Sequence, residues 1–265
     1  MNTQRRKFLV TAMAFAAPLA FSSLSRGQNM LAGVDLSSPA FTRAELTRAD
    51  IEAMIARRSG GAPLNLSDKS LNGLDLSKLD LSGANLREAR LNNANFAGAD
   101  LHGAQLDQVW ALKADFTGAN LSGASLFGTQ MQGAKMDGAN FTHARLAGDF
   151  TGASLKGANL SDSNASADMK NQSMGLMRAI LRSANLSGAD LSHANFSRVD
   201  LEFADLTGAN LAGANLMGAD AAGADFRGAR LDGANVMGLD VASARIDAAQ
   251  AKALGDARNL ERARQ

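Results

Sequence analysis

The residues that could do chemistry in this 265-residue chain are few, and their spacing is regular. Its three histidines are His102, His143 and His193. None has a second histidine at metal-ligand spacing, and there is no cysteine to complete a site. Serines are plentiful, but a nucleophile needs a positioned base, and none stands beside them in the pattern. The sequence therefore points to no catalytic residue, no metal ligand and no cofactor. Two other series remain. Asp200, Asp220 and Asp240 recur every 20 residues, with Asp205 and Asp225 as a neighbouring pair. Trp110, the only tryptophan, stands with Leu112 and Phe127 in positions that are otherwise polar.

These series are set by a repeat. From Leu66 to Leu146 a large apolar residue recurs every fifth position, and only Ala111 breaks the series. The residue two before the apolar centre is Ala in 11 of those 17 units, so it needs a small side chain. The phase slips by one at Phe150, continues through Leu160 and resumes from Leu181 to Ile246. Of 26 glycines, 20 lie two residues after a centre, which marks that position as a turn. Ala119-Asn120-Leu121-Ser122-Gly123 and Ala209-Asn210-Leu211-Ala212-Gly213 carry the consensus in full.

A period of five fits neither a 3.6-residue helix nor a 2.0-residue strand. It fits a coil with a corner every five residues, the centre and the preceding small residue facing inward. Four sides make a coil of 20 residues, and coils stack at about 4.8 Å. Leu76, Phe96, Phe116 and Met136 then form one inner column. Leu81, Leu101, Leu121 and Phe141 form a second, and Leu86, Leu106, Leu126 and Leu146 a third. The three histidines fall outward. Asp200, Asp220 and Asp240 become a stripe, with Asp205 and Asp225 beside it. Close like charges invite a cation or a basic partner, with Arg227, Arg230 and Arg245 as internal alternatives. The other reading is the ordinary Asn or Asp of this repeat position. Trp110, Leu112 and Phe127 form an outward protein-contact patch unless the small Ala111 lets Trp110 roll inward.

This pattern resembles the pentapeptide-repeat family over residues 64–248. The resemblance implies an all-β solenoid, a right-handed quadrilateral parallel β-helix, and the open ends of such a solenoid call for the short helical caps that the flanking sequence offers. Residues 26–62 read as an N-terminal cap with one helix, begun by Thr47 and Asp50 and packing Ile51, Met54 and Ile55. Residues 63–160 form the first part of the solenoid, 161–180 a register break or loop, and 181–246 the second part. Residues 247–265 form a cap, with a short helix from Asp247 to Leu254 and a frayed end from Arg258. An end with a weak cap can stack on its twin, giving a homodimer.

Residues 1–25 read as a leader. Arg5, Arg6 and Lys7 precede an apolar stretch from Phe8 to Phe21 and small residues beyond it. Fourteen residues reach about 21 Å, short of a bilayer core, so no stable membrane anchor is expected. Arg5, Arg6, Phe8 and Leu9 resemble the twin-arginine export signal, which implies the export machinery as a partner and a periplasmic location. Gln4 and Val10 depart from that pattern. Loss of residues 1–26 takes the net charge from +1 to −3. Some relatives of the quinolone-resistance type resemble duplex DNA and act on DNA gyrase. Residues 63–246 here carry 19 acids and 15 bases, whereas a duplex of the solenoid's expected length, about 45 Å, carries about 26 charges. A nucleic-acid partner is not expected. The leading expectation is a non-enzymatic, protein-binding or scaffold rod with an unknown partner. The alternative is an intracellular regulator of a DNA-processing enzyme.

Overall fold

The structure, a computed structural model, describes residues 33–58, 62–167 and 178–264. The chain divides into two units, Met1–Asp35 and Leu36–Gln265. Of the first, only residues 33–35 are described, with Gly33 in a turn. The leader residues Arg5, Arg6, Phe8 and Leu9 lie outside the described residues.

The second unit is a solenoid of four-sided coils. Parallel bridges link Asn65 to Asn85, Ser70 to Arg90, Asp75 to Asn95 and Asp80 to Asp100, and the 20-residue register continues coil after coil. The four centres of the first coil, Leu66, Leu71, Leu76 and Leu81, define faces one to four. Except after Leu126 and Leu146, the described corners are hydrogen-bonded turns: Ala84 N–H donates to Leu81 C=O at 3.0 Å, and Gly83 between them has φ 62°. This is a type II turn, whose third residue must be left-handed. Nineteen of the twenty corner glycines share that conformation, which is why the repeat uses glycine there.

The inner columns form as the spacing requires. Their Leu, Phe and Met side chains are almost wholly buried, and the Phe96 and Phe116 rings stack at 4.9 Å and 4°. The polar residue before each centre works on the outside. Asn120 Oδ1 accepts from Ser122 N–H at 3.2 Å, and Asn140 Nδ2 donates to Asn120 Oδ1 at 3.3 Å. Asparagine thus closes its own corner and links to its copy one coil away. An aspartate closes its corner and can accept the inter-coil bond, as Asp100 does from Asn120 Nδ2 at 3.0 Å, but it cannot donate one.

Two irregularities have distinct causes. Strands β1 (Ser125–Gln130) and β2 (Arg145–Asp149) pair in parallel, with a register shift between Phe127 and Gln130. Gly128 and Thr129 on β1 face the single Gly148 on β2, so the slip at Phe150 is a bulge that shortens one coil. The second irregularity starts later than the sequence suggests. Asn164 still pairs with Arg145 and Asn195, and Ala165 is fully buried as an inward centre. Its small size hides it from a search for large apolar centres. The regular pairing runs through Ala165 and resumes at Ala179, whose N–H donates to Ala165 C=O at 3.1 Å.

Both ends are covered. Helix α2 (Arg48–Ala56) has the Thr47–Asp50 capping box and buries Ile51. A further short helix, α1 (Pro39–Thr42), precedes it, so the described residues of the N-terminal region hold two helices rather than one. The first coil leaves a row of carbonyls without a preceding coil. Glu45 N–H takes Ser70 C=O at 2.8 Å. Arg48 takes Asp75 and Ser77 C=O at 3.0 and 3.3 Å, and Arg58 takes Asp80 and Ser82 C=O at 2.8 and 3.4 Å. Two arginine forks thereby replace a missing strand. At the far end, α3 (Ala248–Ala253) is followed by the buried Leu254. The segment expected to fray is paired instead: Arg258 bridges Asp240, and Arg264 bridges Arg245.

Candidate functional site

The apolar patch is partly covered by the chain itself. Trp110 is half-buried, with its ring 5.1 Å from Phe41 of α1. The segment around α1 lies along face two. Asn72 Nδ2 donates to Ala40 and Arg43 C=O at 3.1 and 3.3 Å, and Ser70 Oγ donates to Arg43 C=O. Leu112, also half-buried, follows in the same row, and its N–H donates to Asn92 Oδ1 at 3.0 Å. Phe127 lies on face one beneath the Arg145 guanidinium, 4.8 Å from its ring centre. Trp110 and Phe127 therefore have separate partners within the fold. The sequence does not reveal the covering because Phe41 is 69 positions away and outside the repeat.

The acidic stripe is assembled as expected, through bridges from Asp200 to Asp220 and from Asp220 to Asp240. Asp205 and Asp225 pair likewise on face three. Each aspartate accepts from the backbone N–H two residues on, so each still performs the local duty of the repeat position. Arginines answer much of the charge. Arg182 approaches Asp200 at 2.9 Å and Glu202 at 3.0 Å, Arg227 approaches Asp225 at 2.6 Å, and Arg258 approaches Asp240 at 3.4 Å. Arg245 lies 3.7 Å from Asp225, but Arg230 pairs with Asp232 rather than with the stripe. Burial first, then the Asp220 and Asp200 carboxylates, pushes the Glu202 carboxyl up from its ordinary value against the pull of Arg182. Hydrogen bonding by Arg227 holds Asp225 down. Among the described residues, no group of three or more His, Cys, Asp or Glu side chains is placed to hold a metal ion. The cation reading of the stripe thus gains no support from the geometry.

The three histidines stand apart on the outside. His102 Nδ1 lies 3.2 Å from Asp100 Oδ1, while His143 and His193 occupy left-handed corners at φ 57°.

A further feature lies between the two acidic rows. Phe203 occupies a glycine corner at φ 59° and remains 62% exposed. A β-carbon built on Gly223, one coil on, would sit 2.6 Å from the Phe203 ring, so the ring lies directly over that glycine. Next in the corner row comes Ser243. These residues, with Asp205, Asp225, Arg245 and Arg264, line an open groove of about 400 Å³. That volume falls in the usual range of ligand sites. Sequence reasoning missed the groove, although a phenylalanine in a glycine slot was a legible signal. A bulky side chain at positive φ is a strained choice that invites a functional reading.

Among the described residues, no helix is long and apolar enough to cross a membrane. No curated protein matches the chain. Among solved structures, the chain is similar to HetL, a pentapeptide repeat protein involved in heterocyst differentiation regulation from the cyanobacterium Nostoc sp. strain PCC 7120. The identity is 31% over 80% of this chain and 94% of that one, with a TM-score of 0.45. It is also similar to full-length QnrB1, a plasmid-mediated fluoroquinolone resistance protein, at 21% identity over 71% and 95% of the two chains, with a TM-score of 0.37. A family model for pentapeptide repeats matches eight copies over residues 65–109, 113–148, 176–198 and 200–236. With the repeat recognised over more than half of its length, the chain belongs to the pentapeptide-repeat family.

Proposed function

We propose that this chain is an exported, non-catalytic protein-binding scaffold that works in the periplasm. The supporting observation is the filled interior: the columns through Leu76, Leu81 and Leu86 are fully buried, so recognition falls to the outer faces and corners. The groove beneath Phe203 supplies a surface suited to that role. Export is supported by Arg5-Arg6 before the apolar stretch and by the absence of cysteines, which leaves no disulfide to be made outside.

Fractionation of cells producing the full-length chain and an Arg5→Lys, Arg6→Lys variant tests the reading. A shortened periplasmic protein that is lost in the variant is the expected result. A full-length cytoplasmic protein in both cases overturns it and favours an intracellular regulator of a DNA-processing enzyme. The slight acidic excess of residues 63–246, 19 acids to 15 bases, argues against that alternative because duplex DNA is far more densely charged.

A further inference from the structure

The groove beside Phe203 has an ordered side wall. Asp205 bridges Asp225, Asp225 bridges Arg245, and Arg245 bridges Arg264, so one ladder runs acid, acid, base, base across the coils. At about 4.8 Å per rung it is about 14 Å long. The inner members are engaged with each other: Asp225 holds Arg227 at 2.6 Å and Arg245 at 3.7 Å. The outer members keep capacity. Asp205 uses only Oδ1, which accepts from Thr207 N–H and Oγ–H at 3.0 and 2.7 Å. Its Oδ2 and the Arg264 guanidinium make no side-chain hydrogen bond or close ion pair among the described residues, although Arg227 lies near enough to feel the Asp205 charge. The exposed Phe203 ring stands beside the acidic end, and Gly223 and Ser243 also line the groove.

We propose that this groove binds an extended peptide segment of a partner protein, laid along the solenoid axis across the coils. The proposal rests on the protein-binding reading above and gives that partner a chemistry. A cationic side chain of the segment sits on the Phe203 face beside Asp205, where ring and carboxylate both attract it. An anionic side chain four residues away pairs with the Arg264 fork, with Arg245 adjacent. The spacing selects the conformation. In an extended chain, residues i and i+4 share a face and lie about 13 Å apart, close to the ladder's length. In a helix they lie only about 6 Å apart, too close to reach both ends. A polyanion such as nucleic acid would meet Asp205 and Asp225 along half of the groove and be repelled.

The test uses the full chain and fluorescein-labelled peptides, read by polarisation. The probe is Lys-Thr-Val-Thr-Glu with both termini blocked. The comparison peptides are Lys-Thr-Val-Thr-Lys, Glu-Thr-Val-Thr-Glu and Thr-Lys-Glu-Val-Thr, the last with its charges adjacent. The probe should bind about tenfold more tightly than any of the three. Phe203→Gly and Arg264→Gln should each weaken it by about tenfold. Glycine suits the left-handed corner, so the Phe203→Gly protein should keep or raise its melting temperature, which separates lost binding from lost folding. Equal binding of all four peptides overturns the proposal, as does unchanged probe binding in both variants. No binding of any probe also overturns it, while leaving export and the scaffold role to the fractionation experiment.

Discussion

Gly148→Ala is the sharpest test of how the solenoid absorbs its missing residue. Gly148 is the one corner glycine of the repeat outside the left-handed region, so backbone freedom does not explain it. Space does. A β-carbon there would lie 2.2 Å from Thr129 Oγ1, 2.6 Å from Thr129 C=O and 2.9 Å from Thr129 N. Thr129 is fully buried and cannot swing away, and two of the three clashing atoms are backbone. Relief requires the β1–β2 bulge to open, which in a packed interior costs about 3 kcal/mol, the upper part of the overpacking range. For a domain of this size that is a fall of about 6–12 °C in melting temperature. The comparison is Gly123→Ala, at φ 65° with nothing within 4 Å of the added carbon. Its cost is conformational alone, about 1–2 kcal/mol. Thr129→Ala in the Gly148→Ala background removes the hydroxyl clash but neither backbone clash, so rescue should be partial. Urea titrations followed by circular dichroism give the midpoints and reveal any loss of cooperativity along the repeat array. A Gly148→Ala protein no less stable than Gly123→Ala would refute the argument.

Other outcomes follow from the same structure. Phe116→Ala breaks the stacked pair in the third-face column and should cost about 3–5 kcal/mol, measured by thermal or urea melting. Arg48→Ala with Arg58→Ala frees the carbonyl edge of the first coil, and size exclusion over a concentration series should then show self-association that the parent lacks. Phe41→Ala uncovers Trp110, the only tryptophan, so emission should shift to the red and stability should fall by about 1 kcal/mol from the lost ring contact. Glu202 is raised by folding, so its carboxyl favours the fold when protonated and loses that benefit as pH climbs past its ordinary 4.5 and through the raised value. Glu202→Gln should therefore melt higher than the parent at neutral pH, with the difference vanishing on acidification. A constant difference at all pH values would argue against repulsion among Glu202, Asp220 and Asp200.

How far each feature could be read depends on which residues place it. The coil length, the inward columns and the stacking of Asp200 on Asp220 follow from a five-residue period, because every coil repeats the same local geometry. The Thr47 cap and the ending of the repeat near Ile246 were legible for the same local reason. Ala165 is not legible as a centre because a small residue there does the work of a large one. Phe203 was visible as a phenylalanine in a glycine slot, but its ring over Gly223 depends on a neighbour one coil away.

The sequence by itself thus determined the solenoid, its register and its rows, since these arise from short-range turn chemistry and from burial repeated every five residues. Only the tertiary structure decided what covers what: Phe41 on Trp110, two arginines on the open carbonyl edge, Thr129 against Gly148, and the groove under Phe203. Those contacts join residues with no periodic relation, and their positions depend on how the caps and the shortened coil fold back on the repeat.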